Sequence, residues 1–253
     1  MNRFLSTLLG LACAGTVSAH DTWFAPQPGG ALALGTGNRF PVTELAVDDK
    51  FFAKRGCIAA DGTPTTLDKL RFTDKTTLLR PKSAGGGAMT CFVQLEPFDI
   101  DLPPDKIEIY FKEIRPSATV LAAWADLKAR GLPFKEHYTK SARIAVGTEG
   151  SPQPTGTAMD ALRVSPRGAL TVGSEAVFQV LREGKPLPDF PVELINERSP
   201  LGLWHRTDAE GRIRAKLPLP GRWILRGVDL HLSPGDATRW ESWFITYAFE
   251  VGR

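Results

Sequence analysis

The sequence predicts a mainly β protein made of two β-sandwich domains, with one helix in the first domain. Short segments in which apolar and polar residues alternate recur along the chain, separated by turns rich in Gly, Pro, Asn and Asp. The clearest is 241–251, where every second residue from Trp243 to Val251 is apolar. The stretch 147–157, rich in Gly, Ser, Thr and Pro, predicts a boundary between domains at 20–150 and 158–253.

Residues 1–19 are typical of a secretory signal peptide. They combine Arg3, an apolar stretch over 4–14 and a run of small residues that ends at Ala19. The segment is too short to span a bilayer. A lipoprotein signal with Cys13 as the lipidated residue is the alternative, although the residues before Cys13 fit it poorly. The pattern predicts cleavage after Ala19. We therefore expect an exported, periplasmic protein whose mature chain begins at residue 20.

In the first predicted domain, strands are expected where alternation is visible: 38–47, 54–60, 76–80, 89–95, 107–111 and 134–146. One segment has helical spacing instead, over 117–130. Ser117 is a suitable N-cap and Gly131 is a natural stop. The predicted apolar face consists of Val120, Leu121, Trp124 and Leu127. We expect this helix to cover the first sheet.

The second predicted domain contains short strands at regular intervals and no second helical pattern. The strands are expected at 162–165, 176–182, 190–195, 203–207, 212–217, 222–230 and 241–251. Such spacing predicts a small antiparallel sandwich.

Composition excludes several classes of function. The formal net charge is +3 and both signs are interspersed, so no nucleic-acid partner is predicted. No nucleophile elbow, HExxH, P-loop or dinucleotide-binding motif occurs in a fitting context, so no catalytic residue is predicted.

Cys57 and Cys91, the cysteines of the mature chain, predict a disulfide in an oxidising compartment; the alternative is a pair of thiolate metal ligands.

Metal binding is predicted from the start of the mature chain. A first-residue His20 carries two nitrogen donors, its α-amine and its ring Nδ1, which can close a small chelate on a metal ion. Nitrogen-rich tetragonal sites favour Cu(II) or Ni(II). A second imidazole would complete a histidine brace, and we rank His231 first for that role, His137 second and His205 third.

Two aspartates lie next to these histidines in the sequence. Asp21 and Asp229 are candidate oxygen ligands, or partners that orient an imidazole. The alternative is that Asp21 caps a turn and Asp229 is solvated. The tryptophans could line a carbohydrate-binding face, but the alternation around Trp243 favours the core.

The sequence also resembles a known family of bacterial periplasmic proteins, grouped as a domain of unknown function and often labelled nickel-uptake substrate-specific regions. The resemblance covers nearly all of the mature chain and rests on motifs in a fixed order: His20-Asp21-Thr22-Trp23-Phe24, 134–143, 184–187, 207–212, 221–225 and 240–243. It implies sandwich domains of the prealbumin or immunoglobulin-like type. The label of the family implies a role in metal uptake. The resemblance also implies a histidine near the position of His231.

The leading functional hypothesis is therefore a periplasmic protein that binds copper or nickel through its N-terminal histidine. It would serve metal uptake or handling, with a membrane transporter or another periplasmic protein as its partner. The alternatives are a β-sandwich module for adhesion or ligand binding without metal, and a histidine-brace copper oxygenase.

Overall fold

The computed structural model describes residues 20–82, 87–148 and 150–253. The predicted signal peptide, residues 1–19, lies outside the described residues. The chain is mainly β, as predicted. Its strands are β1 Asp21–Pro26, β2 Leu32–Gly37, β3 Leu45–Ala46, β4 Phe52–Ala59, β5 Pro64–Thr65, β6 Leu67–Phe72, β7 Thr77–Pro81, β8 Met89–Leu95, β9 Phe98–Leu102, β10 Phe134–Val146, β11 Met159–Ser165, β12 Leu170–Thr171, β13 Glu175–Arg182, β14 Lys185–Pro186, β15 Pro191–Asn196, β16 Leu203–Arg206, β17 Arg212–Lys216, β18 Gly221–Ser233 and β19 Asp236–Gly252. The helices are α1 Pro104–Ile114 and α2 Ala118–Ala129.

A ten-stranded sheet forms the middle layer. Its strands run in the order β16-β15-β18-β19-β10-β8-β4-β5, with β12 beside β19 and β9 beside β10. β10 and β19 pair in parallel, from Lys135 opposite Arg239 to Ile144 opposite Ala248. This pairing joins strands from both predicted domains in one sheet. The division at 147–157 does not coincide with a break in this sheet, and the division into domains stays a prediction.

The two faces of this sheet are covered by different layers. We call front the face that carries the even-numbered residues of β10, β18 and β19, and back the face that carries the odd-numbered ones. A five-stranded sheet, β1-β2-β7-β6 with β3, packs on the front through Trp23 and Phe24. A four-stranded sheet, β11-β13-β14 with β17, packs on the back through Phe178. Two sandwiches thus share the ten-stranded sheet.

The helix α2 confirms the sequence prediction. Ser117 caps it, since its side chain accepts a hydrogen bond from the Val120 amide at 3.3 Å. Trp124 and Leu127 are buried and pack with Phe134, on the front face of β10. Leu121, which was predicted on the same apolar face, is 47% exposed.

The helix α1 corrects the sequence prediction, which placed a strand at 107–111 and a single helix in this part of the chain. Ile107, Tyr110, Phe111 and Ile114 are buried at helical spacing, whereas Ile109 is 48% exposed. Pro104 occupies the first turn, where its missing amide hydrogen costs nothing. The apparent alternation over five residues was too short to distinguish the two periods.

The disulfide prediction is confirmed. Cys57 on β4 and Cys91 on β8 are bonded and lie directly opposite each other in the antiparallel ladder. Both are buried. A cross-link over 34 residues restricts the unfolded chain, which stabilises the fold by about 3–4 kcal/mol in the chain-entropy model. In the part of the chain described here, neither helix has the length and apolar character needed to cross a membrane.

Candidate functional site

The first residues of the described chain are held against the front face of the ten-stranded sheet. Thr246 donates a hydrogen bond to the carbonyl oxygen of Thr22 at 2.6 Å. Lys140 donates one to the carbonyl oxygen of His20 at 2.5 Å. Trp23 is buried next to these contacts and anchors β1 in the core. These contacts show that β10 and β19 fix the position of this segment.

An ionic cluster lies beneath β1. The Arg226 guanidinium contacts Asp21 (Nε to Oδ2, 2.5 Å) and Glu193 (Nη1 to Oε2, 2.9 Å). It also donates to the backbone carbonyl of Glu113 at 3.3 Å. Burial alone would lower the pKa of Arg226, but Asp21 and Glu193 outweigh it and raise the pKa. Asp21 is thus a buried strand residue in an ion pair, and it does not cap a turn.

This cluster has more carboxylates than its arginine neutralises. The Oδ1 atom of Asp21 is buried and accepts no hydrogen bond within the described residues. Burial raises the pKa of the half-buried Glu113 carboxyl, while Arg226 lowers it and Asp21 raises it further. Each additional negative charge in such a partly desolvated region is costly, so an extra positive charge nearby is favoured.

Lys140 adds a second cation on the same face. Its ammonium lies 5.1 Å from the centre of the Tyr138 ring and 5.4 Å from that of Phe244. Burial lowers the pKa of Lys140 to about 8, although Asp21 and Glu136 act in the opposite direction.

The neighbouring Glu136 is almost fully buried. It accepts hydrogen bonds from Tyr110, at 2.7 Å, and from Ser242. Burial raises the pKa of its carboxyl, which these hydrogen bonds and Lys140 oppose.

The imidazole of His20 lies at the outer edge of this cluster. Its Nε2 is 3.3 Å from Oε2 of Glu44, and 16% of the side chain is exposed. Asn38 donates to the same Glu44 oxygen at 3.0 Å, which holds the carboxylate in place. Because Nε2 faces the carboxylate, a chelate with the α-amine would use Nδ1. Carboxylates contact metal-binding histidines in this way and orient the ring.

The other three histidines lie on the opposite side of the sheet. His231 and His137 occupy odd positions of β18 and β10, and His205 pairs with Val192, whose side chain packs in the core behind the sheet. Side chains of adjacent strand residues point to opposite faces. The predicted brace of His20 with His231, or with His137 or His205, is therefore not formed in this structure.

The predicted residues on the back face have other partners. His231 stacks on Trp243, with ring centres 4.8 Å apart, and its Nδ1 lies 4.0 Å from Asp229. Asp229 pairs with Arg182 at 2.5 Å, and 21% of its side chain is exposed. The pKa of His231 is lowered, chiefly by burial.

His137 lies on the same face, on β10, and is separated from His231 by Glu241 of β19. Its Nδ1 is 2.9 Å from an oxygen of Asp99, and Arg239 contacts the same oxygen at 2.5 Å. An arginine at this position disfavours a metal cation.

Within the described residues, no group of three or more His, Cys, Asp or Glu side chains is spaced to hold a metal ion. These four residue types do not include the α-amine that the predicted mature N-terminus at His20 would add as a donor. Sequence reasoning missed the residues that contact His20 or Asp21, which are Glu44, Lys140 and Arg226. It also missed the carboxylates near Arg226, which are Glu113 and Glu193. Among these, Lys140 could have been found, because it is a charged residue at a strand position whose neighbours on the same face are Tyr138 and Ala142.

The fold and the site together define a mainly β protein whose N-terminal strand covers a buried ionic cluster on a central sheet. A family model described as "Domain of unknown function (DUF4198)" matches residues 17–228, and the chain belongs to this family. This confirms the resemblance to a family of unknown function. The comparison with curated proteins found no match.

Proposed function

We propose that the chain, once residues 1–19 are removed, binds one divalent transition-metal ion, copper or nickel, at its N-terminus. The α-amine and Nδ1 of His20 would supply two nitrogen donors. The observation that carries the proposal is the contact of 3.3 Å between Nε2 of His20 and Glu44, which would orient the ring for chelation through Nδ1.

The electrostatics of the front face support the same proposal. Five carboxylates and two cations surround the start of β1: Asp21, Glu44, Glu113, Glu136 and Glu193 against Lys140 and Arg226. An added cation at His20 would reduce this imbalance. The α-amine must lose a proton before it binds metal, so affinity should fall as the pH decreases through its ordinary pKa of about 8.

The proposed site differs from a histidine brace, because a single residue supplies both nitrogens. The remaining coordination positions would be open to water or to a ligand from a partner. Such a site suits transfer of the ion to a periplasmic or membrane partner in metal uptake or handling. We therefore propose handling of metal rather than oxygenase chemistry, which the sequence had suggested through a second imidazole.

A carbohydrate-binding face receives no support from four of the six tryptophans. Trp23, Trp223 and Trp240 are each at most 2% exposed. Trp243 is covered on the back face by Arg182, whose guanidinium carbon lies 3.3 Å from the ring centre. These rings pack in the protein, so they offer no flat exposed platform.

The proposal is tested by titrating Cu(II) into protein whose first residue is confirmed as His20. Electron paramagnetic resonance then reports the ligands of the bound copper. We expect one equivalent of copper with a tetragonal signal and nitrogen hyperfine structure. Glu44→Gln keeps the shape of the side chain and removes its charge, and should weaken binding about 10-fold or more.

Glu210→Gln is the matched control, because Glu210 is exposed in the turn between β16 and β17. It should bind copper like the unaltered protein. Only weak and heterogeneous copper binding by the unaltered protein would refute the proposed function. Equal affinities for Glu44→Gln and Glu210→Gln would refute the role of the carboxylate.

A further inference from the structure

We infer that Lys140 is a positioning residue for the N-terminal metal-binding residue. By donating to the carbonyl oxygen of His20, its ammonium fixes the backbone from which the amine and the imidazole project. This inference rests on the proposed function and adds to it the residue that sets the geometry of the chelate.

The contact lies where the strand ladder ends. β1 begins at Asp21, which pairs with Gly37 of β2, so the regular pairing starts one residue after His20. Lys140 reaches the preceding carbonyl from β10, with an Nζ to oxygen distance of 2.5 Å. A hydrogen bond from a charged donor is stronger than one between neutral groups. It therefore extends the fixed part of the chain to the residue that would bind the metal.

The lysine itself has little freedom to move. Its ammonium lies over the rings of Tyr138 and Phe244, at 5.1 and 5.4 Å from their centres. Tyr138 and Phe244 also pack against each other, with ring centres 5.9 Å apart. A donor held by two packed rings loses little further entropy when it binds the carbonyl, and can define its position.

The side chain of the next residue is fixed independently. Asp21 is held by Arg226 from β18, at 2.5 Å. Two cations from two different strands thus hold consecutive residues at the start of β1, one through a backbone carbonyl and the other through a side chain. Loss of Lys140 would leave Asp21 in place and remove this hydrogen bond from the backbone of His20.

A cation next to a metal site repels the metal ion. The direction in which copper affinity changes on removing Lys140 therefore distinguishes two roles for this residue. If Lys140 acted only through its charge, Lys140→Met would remove repulsion and strengthen copper binding. If Lys140 positions His20, the same variant weakens binding because the chelating groups lose a contact that orients them. The two effects predict changes of opposite direction.

The experiment compares Cu(II) affinity and electron paramagnetic resonance spectra for the unaltered protein, Lys140→Met and Lys140→Arg, each beginning at His20. We expect Lys140→Met to bind about 10-fold more weakly and to show more than one copper species. Lys140→Arg, which keeps a charged donor, should restore a single species. Circular dichroism confirms that each variant is folded at the temperature used.

Lys135→Met is the matched control, because Lys135 is an exposed lysine on the same strand and on the back face. It should leave the affinity and the spectrum unchanged. Equal or tighter binding by Lys140→Met, with normal binding by the unaltered protein, would overturn the inference and leave the proposed function standing. Failure of the unaltered protein to bind one copper would overturn both. If Lys140→Met does not fold, a loss of the single species in folded Lys140→Arg would overturn the inference.

Discussion

Replacing Arg226 with methionine is expected to lower the free energy of unfolding by about 3–5 kcal/mol. Methionine fills much of the same space but leaves Asp21 and Glu193 without their counter-ion beneath β1. Their side chains are only 8% and 13% exposed, so water cannot replace the arginine fully. Removal of one partner from a buried ion pair is costly for this reason. Urea unfolding at pH 7 measures the change.

Arg214→Met is the control for this prediction. Arg214 pairs with Glu175 at 3.7 Å, and both side chains are more than half exposed, so its replacement should cost less than about 1 kcal/mol. The double variant Arg226→Met/Asp21→Asn should recover part of the stability lost in the single variant, because one of the unpaired charges is removed. A loss below about 1 kcal/mol for Arg226→Met would contradict the described cluster.

Arg143→Met is expected to have an effect of similar size, on the other face of the sheet. Arg143 is 1% exposed and contacts Asp160 at 2.8 Å. It also donates to the backbone carbonyls of Ser151, at 2.7 Å, and Gln153, at 3.2 Å. One side chain on β10 thereby holds the segment that leads to β11. We expect a loss of about 3–5 kcal/mol, because Asp160 and the carbonyls lose a charged donor.

This prediction has a local signature besides the loss of stability. Limited proteolysis should cut Arg143→Met near 151–157 faster than the unaltered protein, because the segment is no longer held to β10. Arg143→Lys should fall between the two, since lysine keeps the charge but not the forked set of donors. Unchanged cleavage in the methionine variant, together with unchanged stability, would contradict the role described for Arg143.

Local signals in the sequence were sufficient for much of the fold. Ser117 and Gly131 bracket α2, and alternation from Trp243 to Val251 identifies β19. The helix α1 was missed because Ile107, Ile109 and Phe111 also fit a strand; its helical face becomes visible only with Tyr110 and Ile114. Over five residues, the apolar positions of a strand with a period of two also fit a helix with a period of 3.6, so the two cannot be distinguished.

The candidate site depended on features that no local pattern contains. The contact of His231 with Trp243 depends on the pairing of β18 with β19, and only the tertiary structure shows that β1 covers the other face. The parallel pairing of β10 with β19 joins segments about a hundred residues apart, and such long-range pairing has no short-range signal. The ionic cluster needs this pairing, since Lys140 and Arg226 lie on different strands of that sheet.

The central claim is that the first residue of the mature chain is the metal-binding residue. It is tested most directly by comparing two proteins that differ only at the start: one begins at His20, and the other carries a single alanine before His20. We predict stoichiometric Cu(II) binding by the first and loss of tight binding by the second, because the extra residue moves the free amine out of the chelate. Equal copper affinity of the two proteins would contradict the account.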